Sequence, residues 1–407
     1  MHRPVKLLSL FVAFACVLLA INFGLRSSMG FFMPPISAEF GYGREIFAFS
    51  LALQNLCWGL FQPIAGAIAD RFGTFRALLG GAVAYALGLY VTANADSIWA
   101  LHTGAGILVG MGIAGTGFGV VLPALARMVA PERRAFALGL GTAAGSAGQL
   151  LVIPVAQAFI ASYGWQTALL LLAGGALAML LLAGPFRNDA SSTANSALDG
   201  PPQTLSEALK EARGHIHYWL LIAGFFVCGF QLAFITVHMP AFLTDNGFDA
   251  SVAVTSLSLI GLFNIFGCLL FGSWSGRYSK KKLLGIIYAL RAVAITLFMV
   301  APLTTTSVYL FSIATGFLWL ATVPPTSGLV AQMFGVRYMG TLYGIVFLNH
   351  QLGSFTGVWI GGYLYDETGT YNIVWWSAAV IALATALIHV VLDERPVARL
   401  QVQAGTA

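Results

Sequence analysis

Two arginines lie inside long apolar runs of this sequence. Arg26 lies in "NFGLRSSMGFF" and Arg291 in "IIYALRAVAI". An arginine at the centre of a bilayer helix costs about 3 kcal/mol on insertion scales, so some interaction must offset that cost. All fifteen Asp and Glu residues fall at predicted helix ends or in loops, so no acid is available to pair with either arginine inside the membrane. Two unpaired cations in a membrane protein favour an anion as the ligand.

A guanidinium can bind a carboxylate through forked N–H donors. Arg26 is predicted about two turns inside the outer end of the first helix, with Asn22 one turn away on the same face. We interpret Arg26 as a carboxylate clamp; the alternative is an arginine that extends toward the interface or binds backbone carbonyls. Arg291 is predicted near the midplane of the ninth helix, where contact with substrate and a structural bond to carbonyls are equally expected.

Two histidines, His238 and His350, are predicted within helices seven and eleven. Histidine is the side chain that titrates near neutral pH, so both are candidates for proton coupling, and His350 is also a candidate for substrate binding. The alternative for each is a hydrogen-bonded core residue. Further polar side chains at mid-span are expected either to line a substrate cavity or to join helices by hydrogen bonds; they are Gln54, Trp58, Gln149, Gln231 and Asn264.

The helices that must position these residues follow from the composition. Hydrophobic residues make up 58% of the 407 and charged residues 9%, which is typical of a chain embedded in a bilayer. The sequence predicts an all-α membrane protein with twelve transmembrane helices in two pseudo-symmetric six-helix bundles, residues 1–186 and 216–407. The polar stretch 187–215 separates them as a cytoplasmic linker, with a short amphipathic helix that begins at Thr204 or Ser206.

The distribution of charge predicts the orientation. Almost all basic residues outside the helices fall at one set of ends, and Arg44 is the only cation in the opposite loops, which instead carry acids. By the positive-inside rule, both termini are cytoplasmic. The basic residues form no patch that would indicate nucleic acid. The four cysteines lie in apolar runs without metal-ligand spacing, and no catalytic or nucleotide-binding motif is present, so we expect neither an enzyme nor a bound metal or cofactor.

The segment "GAIADRFGTFR" carries a more specific signal. Its glycines, acid and arginines match the G-x-x-x-D-R-x-G-x-x-R loop of the major facilitator superfamily, and "GSWSGRYSKKK" in the second half is a degenerate copy. The chain therefore resembles that superfamily over its whole length. The resemblance implies that this loop latches the two halves in the outward-open state. The implied latch residues are Gly66, Asp70, Arg71, Gly73 and Arg76, with Arg127 as a candidate partner of Asp70.

Within that superfamily, the sequence resembles the monocarboxylate and oxalate–formate transporter group. The segments "SSMGFFMPPISAEFG" and "GGYLYDETGTY" are similar to patterns of that group. The acid–arginine pair that the group carries in helix 8 would fall near Asn264 and Cys268 and is absent here. Arg291 is the candidate for the second positive charge.

These observations predict a secondary transporter that moves a small organic anion, a mono- or dicarboxylate, across a bacterial-type inner membrane by alternating access. Transport would be proton-coupled or an exchange, and the expected partners are the anion, a proton and membrane lipid. A monomer is expected from the resemblance alone. One alternative is a proton-driven exporter of a larger amphipathic compound such as a drug or siderophore; another is a membrane sensor or assembly factor that transports nothing.

Overall fold

The computed structural model describes residues 5–128, 131–188, 203–335 and 339–400, and all regular elements in those ranges are helices. Apolar side chains cover the outside of the helices; Leu181 and Val390, for example, are 79% and 69% exposed. An exposed surface of this kind is stable only against lipid or another apolar partner. The chain is therefore an all-α protein with a surface suited to a bilayer.

The first half consists of eight α-helices, with a short 3₁₀ segment after α1 and a π-helical segment, His102–Leu108, before α6. Gly164 has a φ of +79°, a left-handed conformation that favours glycine, and it breaks the longest helix, α8, in two. The helices are α1 (Val5–Ser28), α2 (Met33–Phe40), α3 (Arg44–Phe72), α4 (Thr74–Ala93), α5 (Ile98–Leu101), α6 (Val109–Thr116), α7 (Phe118–Met128) and α8 (Pro131–Leu182).

The second half also consists of eight α-helices. The first is the predicted amphipathic helix of the linker, and its N-cap is Thr204, which forms a capping box with Glu207. These hydrogen bonds hold the pKa of the Glu207 carboxyl below its usual value. The helices are α9 (Leu205–Arg213), α10 (Ile216–Asp245), α11 (Ala250–Ser275), α12 (Lys280–Val300), α13 (Thr305–Leu318), α14 (Val323–Phe334), α15 (Met339–Thr368) and α16 (Asn372–Val391).

Among the described residues, nine helical stretches are long and apolar enough to span a membrane. One of them, Leu140–Leu182, contains the break at Gly164. Helices α3 and α15, with 29 and 30 residues, fall outside this set. The all-helical membrane architecture is thus confirmed, whereas the number of twelve spans is not and stays a prediction.

The buried apolar side chains form two large clusters. One is built almost wholly from residues 11–186 and the other almost wholly from residues 212–397. Polar and aromatic contacts join the two halves across α3 and α15 and across α8 and α11. Trp58 packs against Phe347 with ring centroids 5.4 Å apart, and Asn264 donates to the Ser146 hydroxyl at 2.9 Å. Trp58 and Asn264, two of the predicted site residues, therefore lie in an interface between two packed halves.

Candidate functional site

Arg26 lies in the last turn of α1, facing α3. Its Nη2 donates to Asn55 Oδ1 at 2.8 Å, and the guanidinium carbon lies 5.1 Å from the centroid of the Trp58 ring. Asn55 is held in place because its amide nitrogen donates to the Leu51 carbonyl one turn earlier in the same helix. One amide oxygen and one ring face are neutral partners, so the positive charge of Arg26 is not balanced by them.

The Nε–H of Arg26 has no hydrogen-bond partner among the described residues. The guanidinium borders a small cavity, with room for about one water molecule, that lies between the two halves. Residues of α1, α3 and α10, with Met29 after α1, line this cavity, and we call it the Arg26 cavity; its lining consists of Arg26, Met29, Leu51, Gln54, Asn55, Thr236 and Val237. A cation with a free donor beside a cavity has the chemistry to bind an anion.

Asn22, predicted beside Arg26, and Gln54 and Trp58, predicted to line a cavity or to join helices, have different surroundings in the structure. Gln54 lines the Arg26 cavity, although its amide donates to the Ala105 carbonyl at 2.8 Å. Trp58 donates to Gln62 Oε1 at 3.0 Å and contributes its ring face to Arg26. Asn22 is fully buried and donates to the Thr116 hydroxyl, so it joins α1 to α6. Of the three, Asn22 has the contact expected of an interhelical hydrogen bond.

Arg291 lies in a separate polar cluster within the second half. Its Nη2 donates to the carbonyl of Leu318 at 2.7 Å and to that of Trp319, and its Nη1 lies 3.4 Å from Gln231 Oε1. Gln231 in turn donates to the Ala378 carbonyl at 2.8 Å. The two carbonyls belong to the break between α13 and α14. Arg291 thus makes the bonds to a neighbouring helix that were the alternative to substrate contact.

Arg26 and Arg291 do not face one cavity in this structure. Arg291 and Gln231 border a second small cavity, lined otherwise by residues of α10, α12 and α13 together with Trp319. No residue lines both this cavity and the Arg26 cavity. In this conformation each guanidinium therefore borders its own cavity.

Gln149 and Asn264 lie where α8 and α11 cross. Asn264 donates to Ser146, and its Oδ1 accepts from the Leu320 amide at 3.0 Å. Gln149 is buried, and its Cβ lies against Gly261 of α11. Both side chains therefore join the two halves, and neither lines the Arg26 cavity.

The two predicted coupling histidines are both buried, in different surroundings. His350 lies between two aromatic rings, with centroids 4.8 Å from Phe225 and 5.8 Å from Phe347, and its Nδ1 lies 3.4 Å from Gln351 Oε1. His238 has closer polar partners. Its Nε2 lies 2.8 Å from the Val358 carbonyl, and its Nδ1 lies 3.2 Å from the Tyr371 hydroxyl.

A group of polar residues that we call the Arg44 cluster joins the halves at one end of the bundle. It consists of Arg44, Asp245, Asp366 and Tyr371. The Arg44 guanidinium donates to both carboxylate oxygens of Asp245 at 2.5 Å and to the Tyr371 hydroxyl at 3.1 Å. Asp366 accepts from the first two amides of α3, those of Arg44 and Glu45, at 3.0 and 2.7 Å. An acid at a helix N-terminus is favoured by the helix dipole.

The Arg44 cluster lies at the end opposite the linker. Helix α10 begins at Ile216, beside the linker, and ends at Asp245. In the predicted topology this is the outer end of the protein. Trp359 Nε1 adds a hydrogen bond to Glu45 Oε1 at 3.1 Å, and the Tyr365 ring covers the Arg44 guanidinium at 4.1 Å. The two halves are thus in contact at this end.

Gly43→Ala is expected to weaken this contact. An added Cβ would clash with an Asp366 carboxylate oxygen, so the Asp366 side chain would have to shift away from the N-terminus of α3. Loss of such a cap costs about 0.5–2 kcal/mol. The apparent Tm of the purified variant should fall accordingly. Gly174→Ala is the control, because an added Cβ there meets nothing within 4 Å; equal Tm values for the two variants would contradict the prediction.

The latch residues are only partly described. The side chains of Asp70, Arg71 and Arg127 lie outside the described residues. Gly73 has a φ of +91° and separates α3 from α4, and the Gly66 position has no neighbour within 4 Å of an added Cβ. The Arg76 guanidinium lies 6.0 Å from the ring of Phe72. The latch role stays a prediction.

Three functional candidates were absent from the sequence predictions. Asn55 and Thr236 contribute to the Arg26 cavity, and Tyr371 connects Arg44 to His238. A signal for Asn55 was available, because it lies three residues before Trp58 and so on the same face of α3. Tyr371 lies between helices, where no periodicity predicts its orientation.

The fold and the polar interface define a multi-pass membrane transporter with two helical halves. The sequence profile of the Major Facilitator Superfamily matches residues 15–358, and the chain belongs to this superfamily. It is therefore a transporter rather than an enzyme.

The chain is similar to individual transporters at low identity. It is 25% identical over 90% of both chains to an uncharacterized MFS-type transporter, YcxA, of Bacillus subtilis. It is 27% identical to monocarboxylate transporter 13 of Bos taurus, covering 92% of this chain and 86% of that one. Among solved structures, a bacterial homolog of the human lysosomal transporter Spinster, in an inward-facing and unoccupied conformation, matches with a TM-score of 0.70 and 14% identity over 96% of both chains. The latter likeness concerns the fold alone.

Proposed function

We propose that this protein is a secondary active transporter of a small monocarboxylate and that Arg26 binds the carboxylate group. The observation that carries the proposal is the position of Arg26. Its guanidinium has a free Nε–H donor and no acidic partner among the described residues, and it borders a cavity between the two halves of the bundle. An anion at this position would gain charge-assisted hydrogen bonds and would offset the cost of an arginine within the membrane.

The arrangement of the second arginine favours a monocarboxylate over a dicarboxylate. Arg291 donates to two backbone carbonyls and lies within reach of Gln231, and it borders a different cavity. One free cation suits one carboxylate. Several vertebrate relatives of this chain bear the name monocarboxylate transporter, which agrees with this choice of substrate class.

Alternating access is the mechanism that the site supports best. The Arg26 cavity holds about one water molecule, so a substrate can enter only after the halves separate around it. Residues of both halves line the cavity, and the Arg44 cluster closes one end of the bundle. In transporters built from repeats, substrate binds between the halves and rocking exposes it to each side in turn.

The remaining parts of the proposal concern coupling and location. Transport is coupled to protons or proceeds by exchange, with His238 and His350 as the proposed coupling residues. The proposed setting is a bacterial-type inner membrane with both termini in the cytoplasm, and the protein acts as a monomer. The loop that contains Gly66 and Asp70 latches the two halves in the outward-open conformation.

Uptake of radiolabelled acids into proteoliposomes tests this function. We expect short monocarboxylates to accumulate, and unlabelled monocarboxylates to compete better than dicarboxylates of similar size. We also expect short monocarboxylates to raise the apparent Tm of the purified protein, because a ligand that binds only the folded state stabilises it. Stabilisation by bulky hydrophobic compounds, with no response to any organic anion, would instead favour the exporter.

A further inference from the structure

His238 is connected to the Arg44 cluster by a chain of directional hydrogen bonds. The Val358 carbonyl can only accept, so His238 Nε2 carries a proton. In a neutral ring, Nδ1 then has no proton and must accept from the Tyr371 hydroxyl. The oxygen of that hydroxyl accepts from Arg44, which in turn donates to Asp245. The neutral His238 imidazole therefore satisfies every hydrogen bond of this chain while the two halves are in contact.

We propose that His238 is a proton sensor for this end of the transporter: protonation of its ring breaks the chain through Tyr371 and releases the contact between the halves. The inference rests on the alternating access proposed above, but it does not depend on the substrate being a carboxylate. It gives a specific role to the hydrogen bonds that lead from His238 and Tyr371 of the second half to Arg44 of the first.

A second proton on His238 changes both hydrogen bonding and charge. Nδ1 becomes a donor, so the Tyr371 hydroxyl can no longer donate to it, and two cationic donors, His238 and Arg44, then face one phenolic oxygen. The imidazolium is also buried without an acid beside it, which is costly. Separation of the halves removes both penalties, because the two cations move apart and water can solvate the ring.

The charged and titratable groups around this chain are few among the described residues. Tyr371, which precedes α16, contacts the His238 ring directly, while α15 offers the Val358 carbonyl and the small Gly361. Arg44, at the start of α3, lies beyond Tyr371. Further away, Asp245 and Asp366 bind Arg44 or its backbone, and Tyr365 and Glu45 complete the surroundings. The acids bind Arg44 and its helix and leave His238 without a carboxylate partner.

Distance measurement between the halves tests the proposal. Spin labels at Ala38 of α2 and Ala250 of α11, both exposed, report on this end by double electron–electron resonance. The four free cysteines would first be replaced. Between about pH 8 and about pH 5, across which histidine titrates, we expect the longer distance to gain population in the absence of substrate. Because one proton is bound, the ratio of open to closed states can change by at most about tenfold per pH unit.

Two variants and one control locate the response. In His238→Gln, the amide can keep both hydrogen bonds of the neutral ring but cannot take up a proton. The variant should therefore stay in the closed state at every pH. Tyr371→Phe removes the hydroxyl that links His238 to Arg44 and should weaken the response, leaving only the part that comes from burial of the imidazolium. His389→Gln is the matched control, since His389 is an equally buried histidine that binds the Thr385 carbonyl in α16; it should respond as the wild type does.

A wild type without a pH response, or a His238→Gln variant that responds like the wild type, would overturn the proposal. Arg44→Ala should populate the longer distance at every pH, and failure of this variant to open would count against alternating access at this end. Neither result bears on carboxylate binding by Arg26, which is measured separately. Should the labelled protein not fold, hydrogen exchange of the Arg44 and Glu45 amides in the unlabelled protein, corrected for intrinsic pH dependence, gives the same readout.

Discussion

Arg26→Met should strongly weaken binding of the monocarboxylate while leaving the protein as stable as the wild type or more so. The lost interaction is a charge-assisted pair in a site sheltered from water, and truncation of one partner of such a pair costs about 2–5 kcal/mol. That loss corresponds to a Kd raised by about 30-fold or more. The protein itself loses little, because within the described part of the chain Arg26 has one side-chain hydrogen bond, to Asn55, and no acidic partner.

The measurement is equilibrium binding of a labelled monocarboxylate, together with the apparent Tm without ligand. Arg26→Lys keeps the charge but not the forked donors and should bind with intermediate affinity. Arg187→Ala, at an exposed arginine outside the Arg26 cavity, should bind like the wild type. If Arg26→Met binds the acid as tightly as the wild type, the clamp is excluded and Arg26 is a structural residue.

The overall architecture could be predicted from sequence because membranes impose simple rules. Every backbone polar group must be satisfied within a span, so long apolar runs must be helices. The motif around Asp70 then indicated the superfamily, which the match over residues 15–358 confirms. The breaks were harder to predict: the division of α8 at Gly164 depends on one backbone angle, and the segment between α13 and α14 depends on what binds its carbonyls.

The candidate site could be predicted only in part, because sequence gives depth along a helix better than it gives direction. Arg26 was expected inside the first span, and the structure places it beside a cavity. Asn22 has the same periodicity but is turned toward Thr116. The pairing of Arg44 with Asp245 spans 201 residues, and no local pattern encodes it. The only indication of this pairing in the sequence was that Arg44 is the single cation in outer loops that carry several acids.

Arg291→Met should have the opposite effect to Arg26→Met and destabilise the protein. The variant removes the donors that bind the Leu318 and Trp319 carbonyls at the break between α13 and α14. A buried acceptor left without its partner costs about 1–3 kcal/mol, and lipid provides no replacement donor. The two carbonyls and Gln231 all lose a donor in the variant, while removal of the buried Arg291 charge recovers part of that cost. We expect a net loss of about 2–4 kcal/mol in the free energy of unfolding.

The apparent Tm measures this loss, and monocarboxylate binding by the folded fraction separates the two arginines. Arg291→Met should unfold several degrees earlier yet keep the Kd of the wild type, whereas Arg26→Met should keep its Tm and bind much more weakly. Each variant is thereby the control for the other, since both replace a guanidinium in the membrane by the same apolar chain. A weakened Kd in folded Arg291→Met would mean that the two cavities join when substrate binds, and a dicarboxylate would then become the better substrate candidate.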